Sequence, residues 1–377
     1  MKSDTFADTL YKAFRREYTG YQALDDYIEK IVHKQDLSAE EACVAMRILI
    51  SGQASEFQQG AFLTAMYKKS PAVDEIAAFA YTLRKLATPI KVKTGKIGIF
   101  GKAAIGDTCG TGGGPLETFN VSTTIMFILA SAGIIIAKHG NRAITSKCGS
   151  ADVLEELGVN INLEPKQVEE CISKIGIGFI YAPNFHKAFK NVQKIRKELP
   201  FPTIFNILGP LANPAFTLDG DNRQVLGVNK PELVEIMAEV LKRLKVKRAI
   251  VVHGYFNGHK SGMDEISTVG ETKVSELKED GTIDNYLITP EQFGLKRANP
   301  EDLVGGEASK NAKILVNILK GEKGPKRDLV LLNAAAGLYV GDKAKNIKEG
   351  IKIAEKEIDS FRAYRKLEEL IKFSTEV

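Results

Sequence analysis

IIIAKHGNRAITSKCGSADVLEELG, from Ile134 to Gly158, decides how the chain is read. Its β-branched opening, Ile134 to Ile136, has the texture of a short strand. Lys138, Arg142 and Lys147 then put three cations within ten residues, among Gly140, Gly149 and the hydroxyls of Ser146 and Ser150. A helical run, Ser150 to Leu157, follows, with Asp152 near its N-cap. Alternation of strand and helix is the signature of an α/β domain with a largely parallel sheet, which takes ligands at the carboxyl ends of its strands. Three cations alone are as easily a solvated face. Interleaved with glycines directly behind a strand, they suit a phosphorylated ligand.

Upstream lies DTCGTGGGPLETFNVSTT, Asp107 to Thr124, with four glycines in the five positions Gly110 to Gly114. Glycine lets the backbone reach φ > 0 and approach a ligand, and successive N–H groups then form an anion nest. Asn120, Ser122, Thr123 and Thr124 stand where a helix should begin, and free N–H groups and hydroxyls at such an end favour phosphate. The apolar run Ile125 to Ala137 reads as a buried helix, shorter than the roughly 20 residues of a membrane span. By itself a Gly-rich turn is as often only a turn. This one lacks the Lys-Ser/Thr ending of a P-loop and the spacing of a dinucleotide fingerprint.

Downstream, HGYFNGHKSGMDEIS (His253 to Ser267) follows a predicted strand, Ala249 to Val252. Adjacent acids are common on surfaces. Beside two candidate phosphate loops, Asp264 and Glu265 suit Mg²⁺, which takes a few carboxylates plus the ligand's phosphate oxygens. His139, His186, His253 and His259 lack zinc-like spacing. No G-x-S-x-G elbow or Ser–His–Asp set is visible, so the chemistry rests on positioning and charge stabilisation.

The first 90 or so residues differ in texture. Tyr27, Ile28, Ile31 and Val32 recur at helical spacing, and Ser38 with Glu41 forms a capping-box start. Further helical runs cover Ala61 to Tyr67 and the stretch between Pro71 and Pro89. The expected fold is a small N-terminal helical domain, 1–95, plus a larger α/β domain, 96–377, with a largely parallel central sheet. The helical domain serves packing or dimerisation. Helices are expected at Pro165 to Ile175 and Pro231 to Leu244. The Pro-punctuated segment Pro183 to Pro214 reads as a hinge or as a lobe returning to the helical domain. Lys273 to Asn299 reads as a polar surface excursion, and Asn346 to Lys372 as one charged amphipathic helix.

Bulk composition agrees with this reading. A length of 377 residues suggests two domains, and 44% hydrophobic with 26% charged residues is ordinary for a soluble globular protein. A net charge of +5 does not argue for a nucleic-acid partner. Cys43, Cys109, Cys148 and Cys171 include no C-x-x-C pair, which disfavours a zinc ribbon or redox couple and fits a reducing cytosol. With no apolar h-region near the start, the expectation is a cytoplasmic protein without membrane or nucleic-acid partners.

Together these stretches resemble the anthranilate phosphoribosyltransferase family over most of the chain. GTGG followed by TFNVST, then KHGNRA, GSADVLEELG, RKEL, FNILGPLANP (Phe205 to Pro214), VVHG with a later DE, and NAAAGLY (Asn333 to Tyr339) occur in the family's order. The resemblance implies an active site between the two domains and a homodimer through the helical one. It implies that Gly110, Gly113, Gly114, Thr118, Asn120, Val121, Ser122, Thr123, Lys138, Asn141, Arg142, Ser146 and Ser150 hold phosphoribosyl pyrophosphate. Ser122, Asp264 and Glu265 would ligate Mg²⁺. Gly110, His139, Asn141, Arg196 and Pro210 would meet anthranilate, with the Arg196 guanidinium suited to its carboxylate. Lys138, His139, Asp264 and Glu265 would carry the catalysis.

Three departures stand out. The family usually reads GTGGD-G where this chain has Gly114 and Pro115, and RKELGIRT where it has RKELPFPT, with Pro200 and Pro202. The family's HG-x-x-GLDE is lengthened by Asn257 to Ser261 and carries Met263 for Leu. Phosphoribosyl transfer to another aromatic or heterocyclic acceptor is therefore the nearest rival. Pyrimidine nucleoside phosphorylases share the fold but not these loops. A non-catalytic, nucleic-acid-binding relative would have lost KHGNR and the acid pair.

Overall fold

The computed structural model describes residues 5–15, 22–92, 104–143, 147–256, 258 and 261–377. Ser146, Asn257, His259 and Lys260, and the change of texture near Lys96, lie outside them. The chain forms two compact units: Met1–Pro89 with Phe185–Pro214 and Glu239–Lys245, and Ile90–Asn184 with Ala215–Ala238 and Val246–Val377.

The first unit is helical, with Thr5–Arg15, Gln22–Val32, Ala39–Ser51, Glu56–Lys69 and Val73–Leu86 as its first five helices. The Ser38 box is present: the Glu41 amide donates to Ser38 Oγ and the Ser38 amide to Glu41 Oε2. A second box, Ser55 with Gln58, starts the next helix. The later segment is tied to these helices by Asn191 Nδ2 donating to Ile50 O (2.8 Å) and Arg84 Nε to Leu211 O (2.6 Å).

His186 is 6% exposed, and burial pushes its imidazole down to about 4, against an opposing backbone hydrogen bond at Ala212. A lowered histidine pKa stabilises the fold above the unfolded value near 6.5; that contribution fades as pH falls from there through the folded value. Its full size is about 3 kcal/mol. The expected result is that His186→Gln flattens the fall in melting temperature between pH 6.5 and 4; equal slopes in the two proteins would refute it.

The second unit is built on strands β1 (Ile105–Gly110), β2 (Ile135–Gly140), β3 (Ile177–Tyr181), β4 (Asn222–Gly227), β5 (Arg248–Phe256), β6 (Ser261–Met263), β7 (Thr272–Leu277) and β8 (Ile283–Ile288). They form one sheet in the order β3-β2-β1-β4-β5-β7-β8, with β6 paired to β5. Neighbours from β3 to β5 are parallel; β6, β7 and β8 join antiparallel. The helix Pro325–Val340 is buried along most of its length and serves two cores. Leu331 and Leu338 join Ile125, Phe127 and Ile136; Leu332 and Ala336 join Val225, Ile250 and Val274. Among the described residues, no helix is long and apolar enough to cross a membrane.

Three expectations need correction. The run Ile125 to Ala137 is not one helix: the helix Val121–Ser131 ends, Gly133 turns with φ 85°, and Ile135 begins β2. Both elements are buried, so the hydrophobic run carries no period to separate them. Lys273 to Asn299 is not a surface excursion, because it includes β8 and most of β7. Val274 packs in the core and Leu277 is buried, whereas Asp284, Asn285 and Leu287 on the outer strand are exposed. A polar outer strand is how a sheet edge is protected, and it hides the strand pattern. The tail is two helices, Ile347–Asp359 and Arg362–Glu376, broken where Phe361 takes φ 58°.

Candidate active site

From β1 the chain moves outward to β2 and β3, then returns to the other side of β1 as β4 and β5. Such a reversal opens a crevice beyond the carboxyl ends of the two strands flanking it, the usual ligand position in open parallel sheets. Here those ends are Gly110 and Gly227, paired with each other in the sheet.

Asp264 sits directly over that pair. A Cβ at Gly110 would lie 2.0 Å from Asp264 Oδ2, and one at Gly227 would lie 1.7 Å from Asp264 O. Glycine is thus required at both strand ends for the acid to be there. Asp264 Oδ2 also accepts from the Gly112 amide at 2.8 Å, and Gly112 and Gly113 have φ of 67° and 77°. Gly114 lies against β6, where an added Cβ would be 3.2 Å from Gly262 O. The glycine loop and the acid pair therefore form one structure.

Beside it, Asn120 caps the helix Val121–Ser131, with Val121, Ser122 and Thr123 in its first turn. Thr108 Oγ1 donates to Ser122 O at 2.9 Å. Thr123 is fully buried, and its hydroxyl has no hydrogen-bond partner among the described residues. Thr118, on the approach to the helix, bridges to Val304. Lys138 on β2 is 2% exposed; its Nζ donates to Thr108 O at 2.5 Å and reaches Ser122 Oγ at 3.4 Å. His139 is the next residue of β2, half-buried.

The charges are held under tension. Desolvation pushes the Glu265 carboxyl well above its usual range, Asp264 adds to this, and Lys138 opposes it. Desolvation also lowers Lys138, against Asp107, Cys109 and Glu265. Burial likewise drives the Cys109 thiol far up, so thiolate chemistry is not on offer. An added cation beside Glu265 and Asp264 would relieve their mutual repulsion. No group of three His, Cys, Asp or Glu side chains gathers around a metal position among the described residues. Two carboxylates and a hydroxyl instead fit a hard divalent ion completed by a phosphorylated ligand.

The loop after β2 is tied down by Asp152. Its Oδ2 accepts from Ala143 N and Gly149 N, both at 2.9 Å, and Oδ1 from Arg142 Nη1 at 3.0 Å. Burial works against this charge, but those donors outweigh it and hold the carboxyl below its usual value. Arg142 also pairs with Glu155, and Lys147 with Glu117 at 3.1 Å. Of the three cations read from the sequence, only Lys138 lacks a carboxylate pair among the described residues. Asn141 is exposed; Ser150 Oγ donates to its carbonyl. Gly140 must be glycine here, since a Cβ would lie 2.2 Å from Ser150 Oγ.

In the helical unit, Arg196 on the helix Lys190–Glu198 lies over the rings of Phe205 (5.1 Å) and Phe189 (6.0 Å). Burial lowers its pKa, and it has no carboxylate partner among the described residues. Pro210 is buried in the turn Gly209–Leu211.

Three asparagines escaped the sequence reading. Asn333 Nδ2 donates to Ile266 O and its Oδ1 accepts from Ile266 N, both at 2.9 Å, pinning the residue after the acid pair. Asn311 contacts Asn120. Asn229, just beyond β4, brings its amide 3.2 Å from where a Gly113 Cβ would be. NAAAGLY offered a clue to the first: one polar residue inside an apolar helix. The other two had no local signal.

Residues 102–364 match the glycosyl transferase family, a/b domain, and residues 25–87 the glycosyl transferase family, helical bundle domain. The anthranilate phosphoribosyltransferase of Alkaliphilus metalliredigens is 48% identical over 350 residues, 93% of this chain and 98% of that one. That of Petrotoga mobilis is 46% identical over 348 residues, 92% and 96% of the two chains. Among solved structures, the Thermus thermophilus anthranilate phosphoribosyltransferase has a TM-score of 0.83 at 39% identity, covering 92% of this chain and 99% of that one. The Saccharomyces cerevisiae enzyme in complex with PRPP and Mg has a TM-score of 0.83 at 28% identity, covering 95% and 99%.

Proposed function

The chain belongs to the anthranilate phosphoribosyltransferase family, and we propose that its β1–β4 crevice carries out that family's reaction through the residues described above. The reaction moves the phosphoribosyl group of phosphoribosyl pyrophosphate to the amine of anthranilate and releases pyrophosphate, a step of tryptophan biosynthesis. The observation that carries the site assignment is the convergence of the glycine loop, Asp264 and the Lys138–Ser122 contact on one sheet crevice.

The amine nitrogen forms a bond to the anomeric carbon as the bond from that carbon to the pyrophosphate oxygen breaks. Aromatic amines are weakly basic, so the nucleophile is neutral at pH 7 and needs no strong general base; its proton leaves after attack. With the Gly112 amide held by Asp264 and the Thr111 amide by Gly227 O, the Gly113 amide and the first turn of Val121–Ser131 orient the donor's phosphates. Lys138, held between Thr108 and Ser122, places a fixed positive charge beside the departing oxygen. Asp264, Glu265 and Ser122 would hold Mg²⁺, which when bound neutralises charge on the leaving group. Arg196, in the helical unit, supplies a guanidinium suited to the anthranilate carboxylate. The protein works as a cytoplasmic homodimer.

A steady-state assay with phosphoribosyl pyrophosphate, Mg²⁺ and anthranilate tests the assignment: pyrophosphate release is expected, and its absence with anthranilate but not with another aromatic amine would move the acceptor. Arg196→Ala removes a charged hydrogen-bonding group and is expected to raise the anthranilate KM about 10- to 100-fold. The donor KM should shift far less. Equal shifts would take Arg196 out of the acceptor site.

A further inference from the structure

We propose that Asn311 is a positioning residue that fixes which way the Asn120 side-chain amide faces, and so which of its atoms meets the donor; this rests on the donor-site reading above. Asn311 lies on the helix Ala308–Leu319 and is 2% exposed. Its Nδ2 donates to Asn120 Oδ1 at 2.9 Å, and its own Oδ1 accepts from the Gly306 amide at 2.8 Å. Asn120 Nδ2 in turn donates to Cys148 O at 3.1 Å.

An asparagine amide has one acceptor oxygen and two N–H donors. The Gly306 N–H selects the orientation of Asn311, because only an oxygen can receive it. Asn311 therefore presents an N–H to Asn120, which must answer with its oxygen. That leaves Asn120 Nδ2 on the opposite side, with one hydrogen on Cys148 O and no partner for the second among the described residues. A flipped Asn120 amide would oppose N–H to N–H at Asn311 and oxygen to oxygen at Cys148. Both mismatches lie in a mostly buried place, where unsatisfied polar groups are costly. The chain Gly306–Asn311–Asn120–Cys148 thus sets a donor, not an acceptor, at the cap of the helix Val121–Ser131.

The backbone around it is built to the same end. Thr118 bridges to Val304, and the Gly305 amide donates to Glu117 O at 2.9 Å. A Cβ at Gly305 would lie 2.7 Å from Phe119 Cα. The turn at 304–306 therefore runs flush against residues 117–119, and Asn311 closes the join at Asn120. Asn311 bonds to Asn120 and Gly306 and also reaches the Cys148 side chain, and its effect on the donor runs through Asn120.

The test is donor binding by calorimetry on the full chain, with phosphoribosyl pyrophosphate and Mg²⁺ but no anthranilate, for wild type, Asn311→Asp and Asn311→Ala. Aspartate keeps the shape and still accepts from Gly306, but it cannot donate to Asn120 and draws its Nδ2 round. Losing and reversing this contact is expected to weaken donor binding about ten-fold in Asn311→Asp and about three-fold in Asn311→Ala. A packing role gives the reverse order, with the near-isosteric Asp milder than Ala, and that order would overturn the proposal. So would an Asp penalty that disappears at high salt, since a through-space charge effect is screened and an amide orientation is not. A double-mutant cycle gives a second reading independent of the Asp variant. In an Asn120→Ala background, Asn311→Ala should not weaken donor binding further; additive losses would refute action through Asn120. If wild type binds no donor, the donor-site reading falls and takes this inference with it. Normal wild-type binding with the reversed order removes the inference alone.

Discussion

Asp264→Asn combined with Glu265→Gln is expected to lower kcat/KM by at least about 10³-fold, the scale of losing electrostatic stabilisation of a leaving group. The fold should survive. Both replacements keep their volumes, and an amide oxygen at 264 still accepts from Gly112 N, so the glycine loop keeps its tie. Thermal stability at pH 7 should hold or rise, and the sign follows from Glu265. Its carboxyl is raised by desolvation first and by Asp264 second, so the folded state disfavours its charge. A raised carboxyl pKa costs stability as pH climbs above the unfolded value near 4.3, and a neutral Gln escapes that cost. The measurements are turnover across a Mg²⁺ titration and melting temperature on the same samples. Unchanged turnover would remove both acids from the site. Lost turnover with a large fall in melting temperature would make them structural props instead.

That outcome depends on glycines whose role only the folded sheet reveals. The Gly110–Gly114 run reads from the sequence as an anion nest, and Gly112 and Gly113 do hold positive φ. Gly110 has a different reason to be glycine: Asp264 occupies the space of its side chain. Gly227, which makes room for the same acid, drew no notice, because one glycine at the end of a strand looks like a turn. What could be read along the chain was local. The Ser38–Glu41 box spans three residues, and the strand–loop–helix unit after Ile134 is contiguous. What could not be read was set by distant partners: Asn333 acts on Ile266 across 67 positions, and Asn311 on Asn120 across 191. The misread elements fail for a related reason. A strand's period of two disappears when both faces are buried, as in β2, or when an edge strand is mostly polar, as in β8.

Lys138→Met is expected to separate activity from stability most sharply. Its ammonium is buried, and its partners are one carbonyl and, more distantly, one hydroxyl. Desolvation lowers its pKa despite Asp107, Cys109 and Glu265, so the folded state holds this charge at a cost. Methionine fills similar volume without charge. Melting temperature should therefore stay level or rise, as when a desolvated charge gives way to a packed apolar group. Activity should fall about 10²- to 10³-fold in kcat, since a preorganised cation beside the leaving group is lost. The pH profile supplies an independent check. The protonated lysine is the working form and its pKa is lowered, so wild-type kcat should decline on the alkaline side below the ordinary lysine value near 10.4. That alkaline limb should vanish from the residual activity of Lys138→Met. Lys138→Arg should not restore the rate, because a planar guanidinium cannot take the place of a compact ammonium between Thr108 and Ser122. A variant that lost melting temperature but kept kcat would make Lys138 a strut between β1 and β2, and the positive charge at the leaving group would have to come from elsewhere.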